Sequence, residues 1–405
     1  MPDRRFLQYQ LTGPQTFQDR VTALAADEKM LWYTRQRKDR VGVMDVESGK
    51  FREVTLRHPA GVDLGLASLQ TFPRVSSRQR GVPLLLGAEE AKGLILYTPG
   101  HKRAALFQVE ADPRELPFEA SLRPGVLGID RSLHPWTGGV IRDLRAPSWA
   151  GFQPVTARLE RDFQGRVYAR FWVLPASVKG GVRDFWFDTL DRAWYALGHD
   201  NLLSKGGRSC GVTDLARNEH FFFDLGSGGH SVNHTDLVGW DSQAQMCLNW
   251  PHRGGLFLFQ AINSPYPWQT PLYSSCFQMM GTRYFPPSTP QSLSVDAADS
   301  VWYSAGQSGV GCFHQSNPAD EIIDALVCRE AMTELRFPVK VTRLVVEEHA
   351  SQVAAISETN VQGQVDAGGH FVEWDVEPIV GPLVTVGKDP WFTLPLDNRI
   401  GALVQ

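Results

Sequence analysis

The sequence predicts an all-β protein, a closed β-propeller of seven four-stranded blades, and three observations predict it. Residues 21–56 read as four short strands joined by tight turns, and such a stretch of about 40 residues is the size of one blade. Weaker echoes of it recur, most clearly over 292–327, 341–377 and 383–404. The last echo stops after three strands, while residues 6–11 form a lone strand-like run ahead of the first full unit. An N-terminal strand that completes the last blade removes two sheet edges that would otherwise stay open.

The elements follow in order. In the first unit the strands are 21–26, 30–34, 41–46 and 51–56, where apolar residues alternate or run in short clusters. Asp27-Glu28-Lys29 and Glu47-Ser48-Gly49-Lys50 supply the turn chemistry between them. Residues 62–109 provide a second unit through the apolar runs 82–86, 93–97 and 104–109. A third spans 155–197 and a fourth 210–250, and the three echoes bring the count to seven. In the unit 292–327 the fourth strand is expected at 321–327. Two stretches fall outside the pattern and are expected as insertions into a single domain spanning 1–405, the first of them alternatively a disguised blade. Residues 110–154 carry Pro113, Pro117, Pro124, Pro135 and Pro147, and 251–290 are rich in aromatic residues and proline.

Composition narrows the function classes. A formal charge of −4 over 405 residues is nearly balanced and gives no electrostatic reason to expect nucleic acid or an anionic membrane as partner. Cys210, Cys247, Cys276, Cys312 and Cys328 are scattered with no Cys-x-x-Cys pair. They suggest buried free thiols in a reducing compartment, neither a zinc ribbon nor a disulfide framework. The N-terminal residues hold no apolar core of signal-peptide length, and no apolar run is long enough to span a membrane. A cytoplasmic protein, or a component of a particle assembled in the cytoplasm, is the expectation. There is no phosphate-binding loop and no Gly-x-Ser-x-Gly, so no cofactor is expected.

The motifs Trp32-Tyr33-Thr34 with Arg40-Val41-Gly42-Val43, and Trp391-Phe392-Thr393 with Asn398-Arg399-Ile400-Gly401, resemble those of the virginiamycin B lyase-like propellers, a seven-bladed family. Trp302-Tyr303-Ser304 and Ile356-Ser357-Glu358 are paler copies. The resemblance implies the fold. It also implies, for lyase activity, a histidine base after a proline in late blades and glutamates that hold magnesium, one of them directly after the Trp-Phe-Thr motif. This chain departs from that set. The last blade enters as Val380-Gly381-Pro382-Leu383-Val384, and the positions after the motif are Arg35, Ala305 and Leu394, with a carboxylate only at Glu358.

In a propeller the turns between second and third strands share one face beside the central funnel. Arg35, Arg37, His230, His234, Asp397 and Arg399 are therefore expected on one binding rim. His230 and His234 stand four apart after Gly226-Ser227-Gly228-Gly229, but zinc needs further ligands and no metal site is expected. Glu347-Glu348-His349 reads as a solvent-exposed cluster. Tyr266, Trp268, Tyr273 and Phe277 mark the aromatic stretch as a contact surface for a partner. The expected function is a non-catalytic scaffold that binds a protein partner or joins a larger assembly through its funnel face or aromatic insertion. The alternative is a metal-dependent lyase or hydrolase with a rearranged funnel site.

Overall fold

The structure is a computed structural model describing residues 3–11, 20–35, 39–73, 82–109, 118–145, 152–175, 181–188, 192–197, 210–215, 219–224, 237–240 and 245–250. It further describes 255–260, 276–284, 286–305, 309–314, 321–329, 332–353, 355–365, 371–377, 379–396 and 398–405. The strands fall into two compact units, Met1–Phe107 with Pro286–Pro318 and Val341–Gln405, and Gln108–Phe285 with Ala319–Lys340.

The chain opens with β1 (Arg4–Gln10) and then β2 (Val21–Asp27), β3 (Met30–Arg35), β4 (Arg40–Asp45) and β5 (Lys50–Arg57). β6 (Leu66–Thr71), β7 (Leu84–Ala88), β8 (Gly93–Thr98) and β9 (Arg103–Val109) follow. In the second unit lie β10 (Phe118–Ile129), β11 (Pro135–Asp143), β12 (Phe152–Arg161) and β13 (Val167–Val173). Next are β14 (Val182–Phe187), β15 (Arg192–Leu197), β16 (Cys210–Asp214) and β17 (Glu219–Asp224). β18 (Leu237–Trp240), β19 (Gln245–Trp250), β20 (Gly255–Gln260) and β21 (Cys276–Tyr284) come after them. The remaining strands are β22 (Leu293–Val295), β23 (Val301–Ser304), β24 (Gly309–Phe313), β25 (Glu321–Arg329), β26 (Thr333–Arg343) and β27 (Val345–Gln352). The chain ends with β28 (Ala355–Val361), β29 (Gly363–Val365), β30 (Phe371–Asp375), β31 (Leu383–Val386), β32 (Asp389–Leu394) and β33 (Arg399–Val404).

All pairing within these sheets is antiparallel where the register is defined, and the arrangement is all-β and propeller-like. In the first unit the sheet orders are β2-β3-β4-β5-β27, β22-β23-β24-β30-β29 and β31-β32-β33-β1-β28, and β6-β7-β8-β9 pair in succession as one end of a longer sheet. Inner strands are buried on both faces. On β3 the side chains alternate in direction, so Trp32 and Tyr33 point into different layers. Trp32 packs with Leu66, Leu84 and Ile95, while Tyr33 joins Leu24, Phe51, Trp391 and Ile400. A third layer gathers Phe6, Trp302, Trp374 and Phe392. Each sheet is therefore sandwiched by apolar side chains, and β5, the fourth strand of its sheet, returns to a largely alternating pattern.

One cross-strand device repeats. Tyr33 stands opposite Gly42, Tyr303 opposite Gly311 and Phe392 opposite Gly401. In the second unit Tyr195 stands opposite Gly211. The ring lies over the glycine: a Cβ on Gly42 would come within 1.9 Å of Tyr33 Cζ, and one on Gly311 within 2.0 Å of Tyr303 Cζ. Close approach, not backbone conformation, requires glycine here.

A second device holds the turn between first and second strands. Asp296 accepts from the Ser300 backbone N–H at 3.0 Å and from Trp302 Nε1 at 2.8 Å. Asp188 does the same for Arg192 N and Trp194 Nε1, and Asp130 for His134 N and Trp136 Nε1. In the first unit's β2–β3 turn, which is shorter, Asp27 faces Met30, and Trp32 Nε1 is buried without a partner.

Several expectations are corrected by the pairing. Seven separate blades do not form among the described residues. Four blade-like sheets stand in the first unit. In the second, β25 pairs with both β17 and β21 and so ties two strand meanders into one nine-stranded sheet, order β14-β15-β16-β17-β25-β21-β20-β19-β18. No sheet closes on itself among the described residues. Residues 321–327 do not complete the sheet of β22–β24; that place is taken by β30, about 60 residues later in the chain. Residues 341–377 are no unit at all, since β27 lies along β5, β28 along β1 and β29 along β30. β1 pairs with β33 as the complementary ends of the chain require, but β28 covers its other edge, so β1 is not outermost.

Residues 110–154, expected as an insertion, contain β10, β11 and the start of β12, and β10 through β13 make a regular meander. Prolines hid these strands from the pattern. Consequently 155–197 straddles two meanders, β12–β13 and β14–β15, and 210–250 likewise straddles β16–β17 and β18–β19. The stretch 251–290 holds β20 and β21.

Candidate functional site

Of the expected rim residues, Arg35 and Arg399 are described, while Arg37, His230, His234 and Asp397 lie outside the described residues. Arg35 ends β3 with its side chain fully buried. Its Nη1 donates to Glu53 Oε1 at 3.0 Å, Tyr33 Oη donates to the same oxygen at 3.1 Å, and Arg40 Nη1 donates to Glu53 Oε2 at 2.8 Å. Burial, followed by the nearby Glu53 charge, pushes the Tyr33 hydroxyl well above its ordinary value, so it stays a donor.

Glu53 has a structural origin. Gly42 pairs with Glu53 on its other side, so Tyr33, Gly42 and Glu53 form one row across three strands. The row recurs as Tyr303, Gly311 and Glu373, where Tyr303 Oη donates to Glu373 Oε1 at 2.8 Å and Ser288 N to the same oxygen at 2.9 Å. In the last sheet it reads Phe392, Gly401 and Gln8. There the ring has no hydroxyl and the acceptor is an amide. Arg399 bonds to Gln8 Oε1 and lies 3.4 Å from Glu377, which also accepts from Gln8 Nε2 at 3.2 Å. In the second unit the row ends in Phe222, and Tyr195 has no carboxylate in its row. The two described rim arginines are thus bound to acceptors of their own unit.

The Asp296 turn opens onto a cavity of about 200 Å³ in the first unit, lined by Arg4, Asp296, Ser300, Trp302, His314, Trp374, Lys388 and others. The Arg4 guanidinium lies 4.7 Å from the Trp302 ring centroid and 5.9 Å from that of Trp374, a cation–π arrangement. Arg4 Nη1 donates to Asp389 Oδ1 at 3.0 Å and to the Leu403 carbonyl at 2.9 Å. His314 Nδ1 meets Ser300 Oγ at 3.0 Å and its Nε2 meets Cys312 Sγ at 3.5 Å. Burial lowers the His314 pKa, Asp296 opposes this and Arg4 adds to it, which favours the neutral ring. Burial raises Cys312, which stays a thiol. A serine–histidine contact whose second nitrogen faces a protonated thiol lacks the carboxylate that orients a hydrolytic base. Lys388 is exposed at the cavity edge.

Among the described residues no three His, Cys, Asp or Glu side chains gather as a metal site. Glu358 lies on β28, where it pairs with exposed Arg5 at 3.1 Å. The Ile356-Ser357-Glu358 copy is therefore not a second strand of any blade-like sheet. Of the aromatic contact set, Tyr266, Trp268 and Tyr273 lie outside the described residues, and Phe277 is on β21 opposite Val327. Arg4, Asp296 and His314 escaped sequence reasoning. The spacing of six between Asp130 and Trp136, Asp188 and Trp194, and Asp296 and Trp302 was the available signal for Asp296. No described helix is long and apolar enough to cross a membrane.

No family model matches the chain, and no curated protein does. Among solved structures it is similar to selenomethionine-substituted virginiamycin B lyase from Staphylococcus aureus, with a TM-score of 0.56 and 12% identity over 99% of each chain. It is also similar to the computationally designed Ika8 protein, at 0.47 and 12% over 98% of each chain. The Dos1 propeller gives 0.48 and 8%, over 99% of this chain and 95% of that one. At such identity the likeness to the lyase speaks to a propeller fold alone.

Proposed function

We propose that the chain is a non-catalytic binding protein on a propeller-like scaffold, engaging a protein partner through the face that carries the turns between second and third strands or through the aromatic stretch 251–290. One observation carries the reading, namely the state of the positions where the lyase resemblance calls for a metal-binding carboxylate. Arg35, Ala305 and Leu394 occupy three of them and are buried, Arg35 against Glu53. The fourth, Glu358, sits on an added outer strand and pairs with Arg5. A base acting beside a hard cation needs oxygen ligands converging on one point, and these positions supply none.

The test uses the full chain. Immobilised protein should capture a defined partner from lysate of its native host, and magnesium, calcium or zinc should leave its melting temperature unmoved. A rise of several degrees with one of these ions, abolished by Glu358→Gln, would instead support the metal-dependent lyase or hydrolase. Capture of no partner, with strong stabilisation by a small molecule, would overturn the binding reading.

A further inference from the structure

Between β24 and β30 the chain leaves its sheet, and in the first unit it lays β27, β28 and β29 in succession along β5, β1 and β30. We infer that these three strands form a charge-held strap that lifts from the sheet edges as a unit while the sheets beneath stay folded.

Three features carry this. First, the strap has few apolar anchors. Val345 and Val365 are 50% and 59% exposed and all of β29 is exposed; among the described side chains Leu344 and Val353 at its margins are buried, and Val346 and Val361 are partly buried against the layers beneath. Second, β27 and β28 carry acidic side chains that meet basic ones on β5, on β1 and in the turn before β9. Glu347 pairs with Arg57 at 3.0 Å, Glu348 with Lys102 at 3.4 Å and Arg52 at 3.9 Å, and Glu358 with Arg5 at 3.1 Å. Third, the sheets beneath own their cores. β3, β4, β23, β24, β32 and β33 are buried almost throughout, within layers made chiefly by residues outside the strap.

A segment held by backbone ladders and solvent-exposed ion pairs belongs to the low-stability end of a structure and opens below the global transition. Exposed pairs are weak and screened by salt, so salt should loosen the strap selectively. Lifting it bares unpaired N–H and C=O groups on β5, β1 and β30, edges that accept another strand. This goes beyond the binding reading and does not depend on it.

Hydrogen exchange followed by mass spectrometry on the full chain tests the inference. At low salt the amides of β27 and β28 should exchange at least about tenfold faster than those of β3 and β4. About 0.5 M sodium chloride should speed the strap several-fold further and leave β3 and β4 unchanged. The double substitution Glu347→Lys with Glu348→Lys should reproduce that acceleration at low salt and remove the salt effect. A single common rate for strap and inner strands, or a strap rate indifferent to salt, would overturn the inference. The wild-type salt series decides the matter even if the double variant fails to fold.

Discussion

At the scale of single residues, the buried charges are the most consequential choices. Glu53 holds two arginines and a tyrosine, and Arg35 and Glu53 are both essentially without solvent contact. Glu53→Ala is expected to cost about 3–5 kcal/mol, because it removes the buried carboxylate that both guanidiniums share. Tyr33→Phe should cost only about 1 kcal/mol, since the carboxylate keeps both cations; urea denaturation of the three proteins checks the difference. His220 offers a pH prediction. Its Nδ1 meets Thr213 Oγ1 at 2.9 Å, and burial pushes its pKa down to about 3 from an ordinary 6.5. The unfolded chain therefore takes up a proton that the folded chain refuses. This contribution to stability is whole above pH 6.5 and is lost as the pH falls towards 3, by up to about 1.4 kcal/mol per pH unit. Denaturation midpoints measured from pH 7 to 4.5 should fall more steeply for the wild type than for His220→Gln.

At the scale of elements, the ring-over-glycine row predicts strong coupling. Gly42→Ala places a methyl group inside the Tyr33 ring and should destabilise by roughly 2–4 kcal/mol. Tyr33→Ala should relieve most of that clash, so a double-mutant cycle should give a coupling of about 1–3 kcal/mol. Additive losses would show that the row does not fix the pairing. The same rows explain what the sequence made legible. Trp32-Tyr33 followed by Gly42, with turn residues Glu28 and Asp39 at positive φ, is local information, and the four strands of the first unit fall within one or two residues of expectation. Phe371-Val372-Glu373-Trp374-Asp375 was equally readable as a strand, but its partner β24 is remote, and alternation of side chains carries no address for a distant edge. For the same reason β25 was assigned to the wrong sheet. At the candidate site, Arg35 was legible as a cation beside a turn. Its neutralisation was not, because Glu53 joins it only through the register of β4 against β5.

At the scale of the whole molecule, the meeting of β1 with β33 and β28 joins residues nearly 400 positions apart. Removing residues 1–10 should open β33 and β28 together and lower the melting temperature by several degrees. A synthetic peptide of that sequence should restore it in a concentration-dependent way. Failure of the peptide to bind would mean that this edge does not accept a strand in trans. The pairing also sets a timetable for synthesis. A ribosome makes β1 long before β28 and β33, so β1 waits without these two neighbours while the strands between them emerge. Contacts of such sequence separation form slowly. β1, which sends Phe6 into one apolar layer and Tyr9 into another, is accordingly a segment that chaperones have long to meet, and codon choices that slow the ribosome between β1 and β28 would lengthen that exposure.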